Sequence, residues 1–298
     1  MEDGRHSATA LTAAALRAHH YLFNVAPRVL DDGFAMRLAG MTSPGEVGTF
    51  VDGMVEHFAR LGARGAAEAY VQDITLSVCA RSRIAEDRLA ASSGRMKQLV
   101  ILGAGLDSTA YRRKDLTAEM QVFEVDHPAT QAWKRDKLTS LRIAVPDNLR
   151  FVPFDFEHQT IAEALAAGGI RRDRLTFFTW MGVQPYLSDD AVMITLDAIA
   201  GFASGSELAM DLMTPPDARQ LQSMTEGTRR MIDAVAEQGE PFRSAYSPDV
   251  FEARLRERGF TDIDIVVFHD WFIRNGARFQ GRFSPGVGPC AQVRAIVC

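Results

Sequence analysis

The chain has 298 residues, 47% of them hydrophobic and 24% charged. That balance suits a globular protein with a core to bury and excludes a chain disordered over most of its length. The formal net charge of -5 excludes the basic excess of a protein that tracks a phosphate backbone, so nucleic acid is not an expected partner.

The length allows one large α/β domain with an accessory segment, or two modest domains. Cys79, Cys290 and Cys298 have no CxxC spacing and no paired framework. Reduced thiols in a cytoplasmic setting are therefore expected, without structural zinc or any other metal. No apolar run is long enough to span a membrane. The opening "MEDGRHSATALTAAALRAHH" lacks the basic start, apolar core and cleavage site of an export signal, so a soluble, unexported protein is expected.

In chain order, Leu11, Ala15, Ala18 and Leu22 recur at helical spacing behind Ser7, a fitting N-cap, and predict a helix from Ser7 to about Phe23. "FVDGMVEHFARLG" and "AEAYVQDITLSVCARSRIAEDRLAAS" read as further helices, with "TSPGE" as punctuation. Residues 1–95 thus read as all-helical, and residues 96–298 as a separate core.

Beyond Arg95 the pattern changes. "QLVILGA", "MQVFEVD", "LRFVPFD", "RLTFFTWMG" and "SELAMDLM" are short apolar runs alternating with helical segments. Continuous hydrophobicity suits parallel strands covered on both faces, which gives a doubly wound α/β fold. "HPATQAWKRDKLTSL", "SDDAVMITLDAIAGF" and "SPDVFEARLRERGF" are the best-marked helices, the last two with Ser188 and Ser247 as caps. "TDIDIVVF" and "AQVRAIV" have no convincing helix between them and predict an antiparallel pair at the sheet edge. The stretch from Asp270 to Pro289, with Arg274, Arg278 and Arg282 among glycines, reads as a mobile basic loop suited to an anionic substrate.

The first strand ends in Gly103-Ala104-Gly105, where the backbone can approach a ligand closely and the next helix offers free N–H groups. A dinucleotide fingerprint would place a third glycine at position 108; Ser108 stands there and disfavours a nicotinamide oxidoreductase. The second strand ends in "FEVDHP". Glu124 and Asp126 share a side of it, but only Asp126 is near enough the end to face a cleft and accept the hydroxyl hydrogens of a ribose. The third ends in "FVPFDFE", offering Asp155 to an adenine amino group beside the apolar Phe156.

"VILGAGLDSTAYR", "VFEVDHP", "FVPFDFE" and "FFTWMGVQPYLSDDAV", in that order, resemble the S-adenosylmethionine-dependent methyltransferases of the leucine carboxyl methyltransferase type, especially the bacterial branch that includes polyketide O-methyltransferases. The resemblance implies a Rossmann-like, seven-stranded class I methyltransferase core whose N-terminal helices form a cap over the substrate. It implies S-adenosyl-L-methionine as cofactor, with Gly103 and Gly105 beside the methionine portion, Asp126 on the ribose, and Asp155 with the backbone of Phe156 on adenine. Arg81 in "CARSRIAED" matches the arginine that receives the methionine carboxylate, and Arg83 is its nearest competitor. Much of the family has an acid five positions before the tyrosine of the "YL" motif; here that position is Met181, preceded by Trp180, so the contact it makes is absent or supplied elsewhere.

A sulfonium methyl group is already electrophilic, so the protein chiefly aligns a nucleophile in line with it and excludes water. A carboxylate acceptor needs no general base, whereas a hydroxyl benefits from one. His127, Tyr186 and the His269-Asp270 pair are placed to border the cleft; Tyr186 reads as part of the substrate wall, and no residue is assigned as a base. The expected function is in-line O-methylation of a small-molecule carboxyl or hydroxyl acceptor in specialised metabolism. The alternatives are a protein carboxyl methyltransferase and a non-catalytic, cofactor-binding regulatory protein.

Overall fold

A computed structural model describes residues 7–63, 65, 67–155, 159–215, 242–279 and 290–298. Ahead of the first strand the described residues form helices joined by turns, with no strand among them: α1 (Ala8–Phe23), the single turn α2 (Ala35–Leu38), α3 (Pro44–Phe58) and the long α4 (Ala67–Ser92). Ser7 caps α1 as its sequence suggests, its hydroxyl accepting from the Ala10 N–H at 3.1 Å. The "TSPGE" punctuation lies between α2 and α3, and its last three residues form the first turn of α3. The Ser43 hydroxyl accepts from the Glu46 N–H at 3.3 Å, and Pro44 fits the first turn, where no N–H is needed.

All seven expected strands form: β1 (Gln98–Leu102), β2 (Gln121–Asp126), β3 (Leu149–Pro153), β4 (Thr176–Trp180), β5 (Glu207–Met213), β6 (Phe260–Val267) and β7 (Cys290–Val297). They make one sheet in the order β3-β2-β1-β4-β5-β7-β6. The first five are parallel, and β7 is antiparallel to both neighbours, so the last two strands close one edge as an antiparallel pair. Because the order reverses between β1 and β4, their C-terminal ends open a crevice, the usual ligand position in open α/β sheets.

The unbroken apolar runs are explained by cover on both faces. Along β1, Val100 and Leu102 join the cluster of Phe123, Val125, Phe178 and Leu196, whereas Leu99 and Ile101 face Val122, Phe177 and Leu138. Ala85 and Leu89 of α4 and Ala14 of α1 belong to the second cluster, which presses the N-terminal helices onto the sheet. Three later helices match the sequence closely: Pro128–Ser140, Asp189–Ala200 and Pro248–Glu257.

The stretch after β6 departs from expectation. Phe268–Asn275 is helical and Gly276–Arg278 is a 3-10 turn, where a mobile loop is expected. Phe268 and Phe272, one turn apart, bury themselves with Phe279 against Leu76, Cys79 and Ile84 of α4. The polar face carries Asp270 and Arg274, and this charge obscures a two-turn apolar stripe. Arg282 lies outside the described residues. Among the described residues, no helix is long and apolar enough to cross a membrane.

Candidate active site

At the end of β1 the chain turns through Gly103 and Gly105, both at positive φ (65° and 46°). The Gly103 N–H bonds Val125 O at 2.8 Å, which ties the loop to β2. A side chain at Gly103 would run into Val183, and one at Gly105 would stand 3.1 Å from the Ala10 methyl of α1. Both conformation and close approach therefore demand glycine here.

The third glycine position is filled for a structural reason. Ser108 is buried, and its hydroxyl donates to Asp32 Oδ2 at 2.8 Å. Asp32 also pairs with Arg17 Nε of α1 at 2.9 Å, and Arg17 donates onward to Leu106 O at 2.7 Å. Burial alone would raise the Asp32 carboxyl, but Arg17, Arg112 and the Ser108 hydroxyl outweigh it and hold the group below its ordinary value. Arg112 and Arg113 share the buried Glu86 of α4. These side chains clasp the N-terminal helices to the loop that follows β1.

Two residues apart on β2, two carboxylates have different fates. Glu124 is 1% exposed and sits 2.6 Å from Lys134 Nζ, which also donates to Asp107 O at 2.8 Å. Burial pushes the Glu124 carboxyl up to about 7 despite that cation. Asp126, at the strand's end, faces the cleft as its position predicts. Its oxygens accept from the Gly105 N–H and, at 2.6 Å, from the His127 N–H. Burial raises its pKa, and these two backbone bonds oppose the rise.

His127 serves the backbone, since its Nδ1 accepts from the Ala129 N–H at 3.2 Å and caps the helix from Pro128. Its Nε2 lies 3.9 Å from Asp155 Oδ2. Asp155 is half-buried at the end of β3 on the same crevice. Phe156 lies outside the described residues.

The structure separates the two candidate arginines. Arg83 turns away to Asp87 at 2.8 Å and over the Phe279 ring, whereas Arg81 lines the cleft. Arg81 pairs at 3.1 Å with Asp211 Oδ2, near the end of β5. The other Asp211 oxygen accepts from the Gly182 N–H at 2.6 Å. Gly182 (φ 69°) lies so close to the Arg81 guanidinium that a Cβ would be 2.7–2.9 Å from it. Trp180 is buried in the core, and Met181 packs against apolar residues beneath the loop. The turn that lacks an acid at position 181 thus receives one from the next strand. Sequence reasoning missed Asp211, although the strand-end rule applied to Asp126 and Asp155 also applies to "SELAMDLM".

Tyr186 occupies a 3-10 turn and lines the cleft, its ring 5.6 Å from Phe242. Gln184 fastens that turn, donating to Ser244 Oγ at 2.7 Å and accepting from the Met213 N–H at 2.9 Å. His269 and Asp270 do not line the cleft. Gly103, Gly105, Asp126, Asp155, Arg81 and Tyr186 all border one cavity of about 560 Å³, which α1 covers from the side of Ala10. Among the described residues, no group of three or more His, Cys, Asp or Glu side chains is placed to hold a metal ion.

Comparison with known proteins places the chain in a family. A Bacillus subtilis protein whose name assigns it provisionally to the S-adenosyl-L-methionine-dependent methyltransferases is 33% identical over 168 residues, covering 55% of this chain and 53% of its own. A Mycolicibacterium gilvum protein with the same provisional assignment is 36% identical over 162 residues, 51% of this chain and 52% of its own. The chain spans about half the length of these curated relatives. For fold alone, a Thermobifida fusca crystal structure provisionally titled a methyltransferase superposes with a TM-score of 0.57 at 14% identity, covering 99% of this chain and 96% of that one. The profile of the leucine carboxyl methyltransferase family matches residues 10–200, which include the glycine turn, both strand-end aspartates and Arg81. The chain belongs to the leucine carboxyl methyltransferase family.

Proposed function

We propose that this protein is an S-adenosylmethionine-dependent O-methyltransferase of a small-molecule carboxyl or hydroxyl acceptor, working in the cytoplasm in specialised metabolism. The observation that carries the reading is the convergence on one cavity of a glycine turn, two strand-end carboxylates and an arginine, each from a different element. The residues fit the cofactor in kind. Gly103 and Gly105 leave a cradle that a Cβ would fill, Asp126 and Asp155 offer acceptors to ribose and adenine, and Arg81 offers a planar donor fork to a carboxylate. When bound, the cofactor supplies an activated methyl group.

The protein's own contribution is placement and dryness. Asp126 accepts backbone N–H bonds at two oxygens and retains lone pairs for hydroxyl donors. Arg81 would hold the amino-acid end, and α1 with Tyr186 would wall the reacting atoms from water. A carboxylate acceptor would need only alignment, because it reaches the site already ionised.

Calorimetric titration with adenosylhomocysteine and with NAD tests the cofactor assignment. Micromolar binding of the first and none of the second is expected; the reverse would sink it. Transfer of labelled methyl from adenosylmethionine to a panel of small carboxylic acids and phenols tests the reaction. Transfer only to protein C-termini, or to nothing in the panel, would refute the small-molecule assignment.

A further inference from the structure

Behind the cleft, a side-chain arrangement links three elements that no motif connects. Arg81 projects from α4, Gly182 follows β4, and Asp211 stands near the end of β5. Asp211 is buried, with only 6% of its surface exposed. A carboxylate so placed must be satisfied: one oxygen takes the Gly182 N–H at 2.6 Å, and the other takes Arg81 at 3.1 Å. The guanidinium in turn lies against the bare Cα of Gly182, where any side chain would displace it.

We propose that Asp211 is a positioning residue for the cofactor's amino-acid end, clamping the Arg81 guanidinium on the surface of Gly182 so that its remaining N–H groups stay on the cavity wall. This inference rests on the assignment of Arg81 to the methionine carboxylate. A free arginine samples many rotamers and loses that freedom when it binds. One already held by a buried carboxylate and a glycine surface presents a fixed fork, so less is lost on binding. Asp211 acts through Arg81 and is not among the residues lining the cavity. Met181 leaves this turn without a carboxylate of its own, and Asp211 supplies the anion from the neighbouring strand.

The test compares two ligands that share an adenosine thioether, adenosylhomocysteine and 5′-methylthioadenosine; only the first carries the amino-acid group. For Asp211→Asn, adenosylhomocysteine is expected to bind at least ~10-fold more weakly, with methylthioadenosine changed less than ~2-fold, because a charge-assisted hydrogen bond is lost at one end only. Gly182→Ala, which pushes a methyl group into the guanidinium, should give the same selective loss. Equal losses for both ligands in both variants would reduce Asp211 to a structural role and overturn the proposal. Tighter binding of adenosylhomocysteine would do so too, since Asp211 would then merely neutralise the arginine. Arg81→Ala separates the two assignments. If it shows no selective loss, the carboxylate assignment of Arg81 fails; if it does and Asp211→Asn matches wild type, only the positioning proposal fails.

Discussion

The two ends of the cleft are built by opposite means. At the β2 and β3 end, carboxylates sit at the ends of successive strands, and the Asp126 oxygens are held by backbone a residue or a strand away, from His127 and Gly105. At the β4 and β5 end, a side chain holds a side chain across 130 positions, as Asp211 holds Arg81. The first kind of site is set by strand geometry and should tolerate change around it. The second depends on packing between α4 and the sheet, so distant substitutions should disturb it.

The largest expected effect lies beneath the first end. Lys134→Ala leaves Glu124 buried without its cation and should cost about 3 kcal/mol or more of unfolding free energy, read from urea midpoints. The deficit should shrink on acidification, because a Glu124 whose pKa is already raised by burial takes up a proton and sheds the unpaired charge. A loss independent of pH would mean that Glu124 is not the group left exposed to the change.

Next is the cleft itself. Asp126→Ala should weaken adenosylhomocysteine binding by about 1–3 kcal/mol while leaving the urea midpoint near wild type. Since burial raises the Asp126 pKa, wild-type affinity should be full when the carboxylate is ionised and should fall as acidification protonates it. Affinity that is flat with pH, or unchanged in the variant, would remove Asp126 from the ribose site.

A smaller effect belongs to the second end. Asp73 lies on α4 two turns before Arg81, buried, with Oδ1 unpartnered among the described residues, and burial pushes its pKa up to about 6. Its charged form is therefore disfavoured in the folded protein. Asp73→Asn should stabilise by about 1–2 kcal/mol above pH 6, with the gain vanishing below about pH 4, where the native and unfolded carboxyls are both protonated. A stabilisation equal at both pH values would show that desolvated charge is not the cause.

The smallest effect is a contrast within α4. Arg83→Ala should cost under about 1 kcal/mol, as expected for a partly exposed i,i+4 pair, and should leave adenosylhomocysteine binding unchanged. A binding loss matching that of Arg81→Ala would erase the distinction between the two arginines.

Legibility followed the same division. Strands β1, β2, β4 and β5 were readable because burial of most positions on both faces forces largely apolar runs, and the placement of the glycine turn and both aspartates on the cavity was readable because strand ends set it. The helix from Phe268 to Asn275 was not, since two buried phenylalanines among charges carry little signal until α4 supplies the apolar surface they cover. Ser108 was legible as a departure from the dinucleotide fingerprint, but its bond to Asp32 was not.

The sequence by itself determined the doubly wound sheet, its antiparallel edge and the three strand ends that face the crevice, because parallel strands bring their C-terminal residues together whatever lies between them. Only the tertiary structure decided that Arg81 rather than Arg83 faces the cleft, that Asp211 holds it, and that Ser108, Asp32, Arg17 and Glu86 join the N-terminal helices to the core. Hydrogen bonds and ion pairs act over a few ångströms in space, and no spacing along the chain encodes which distant side chains will meet at that range.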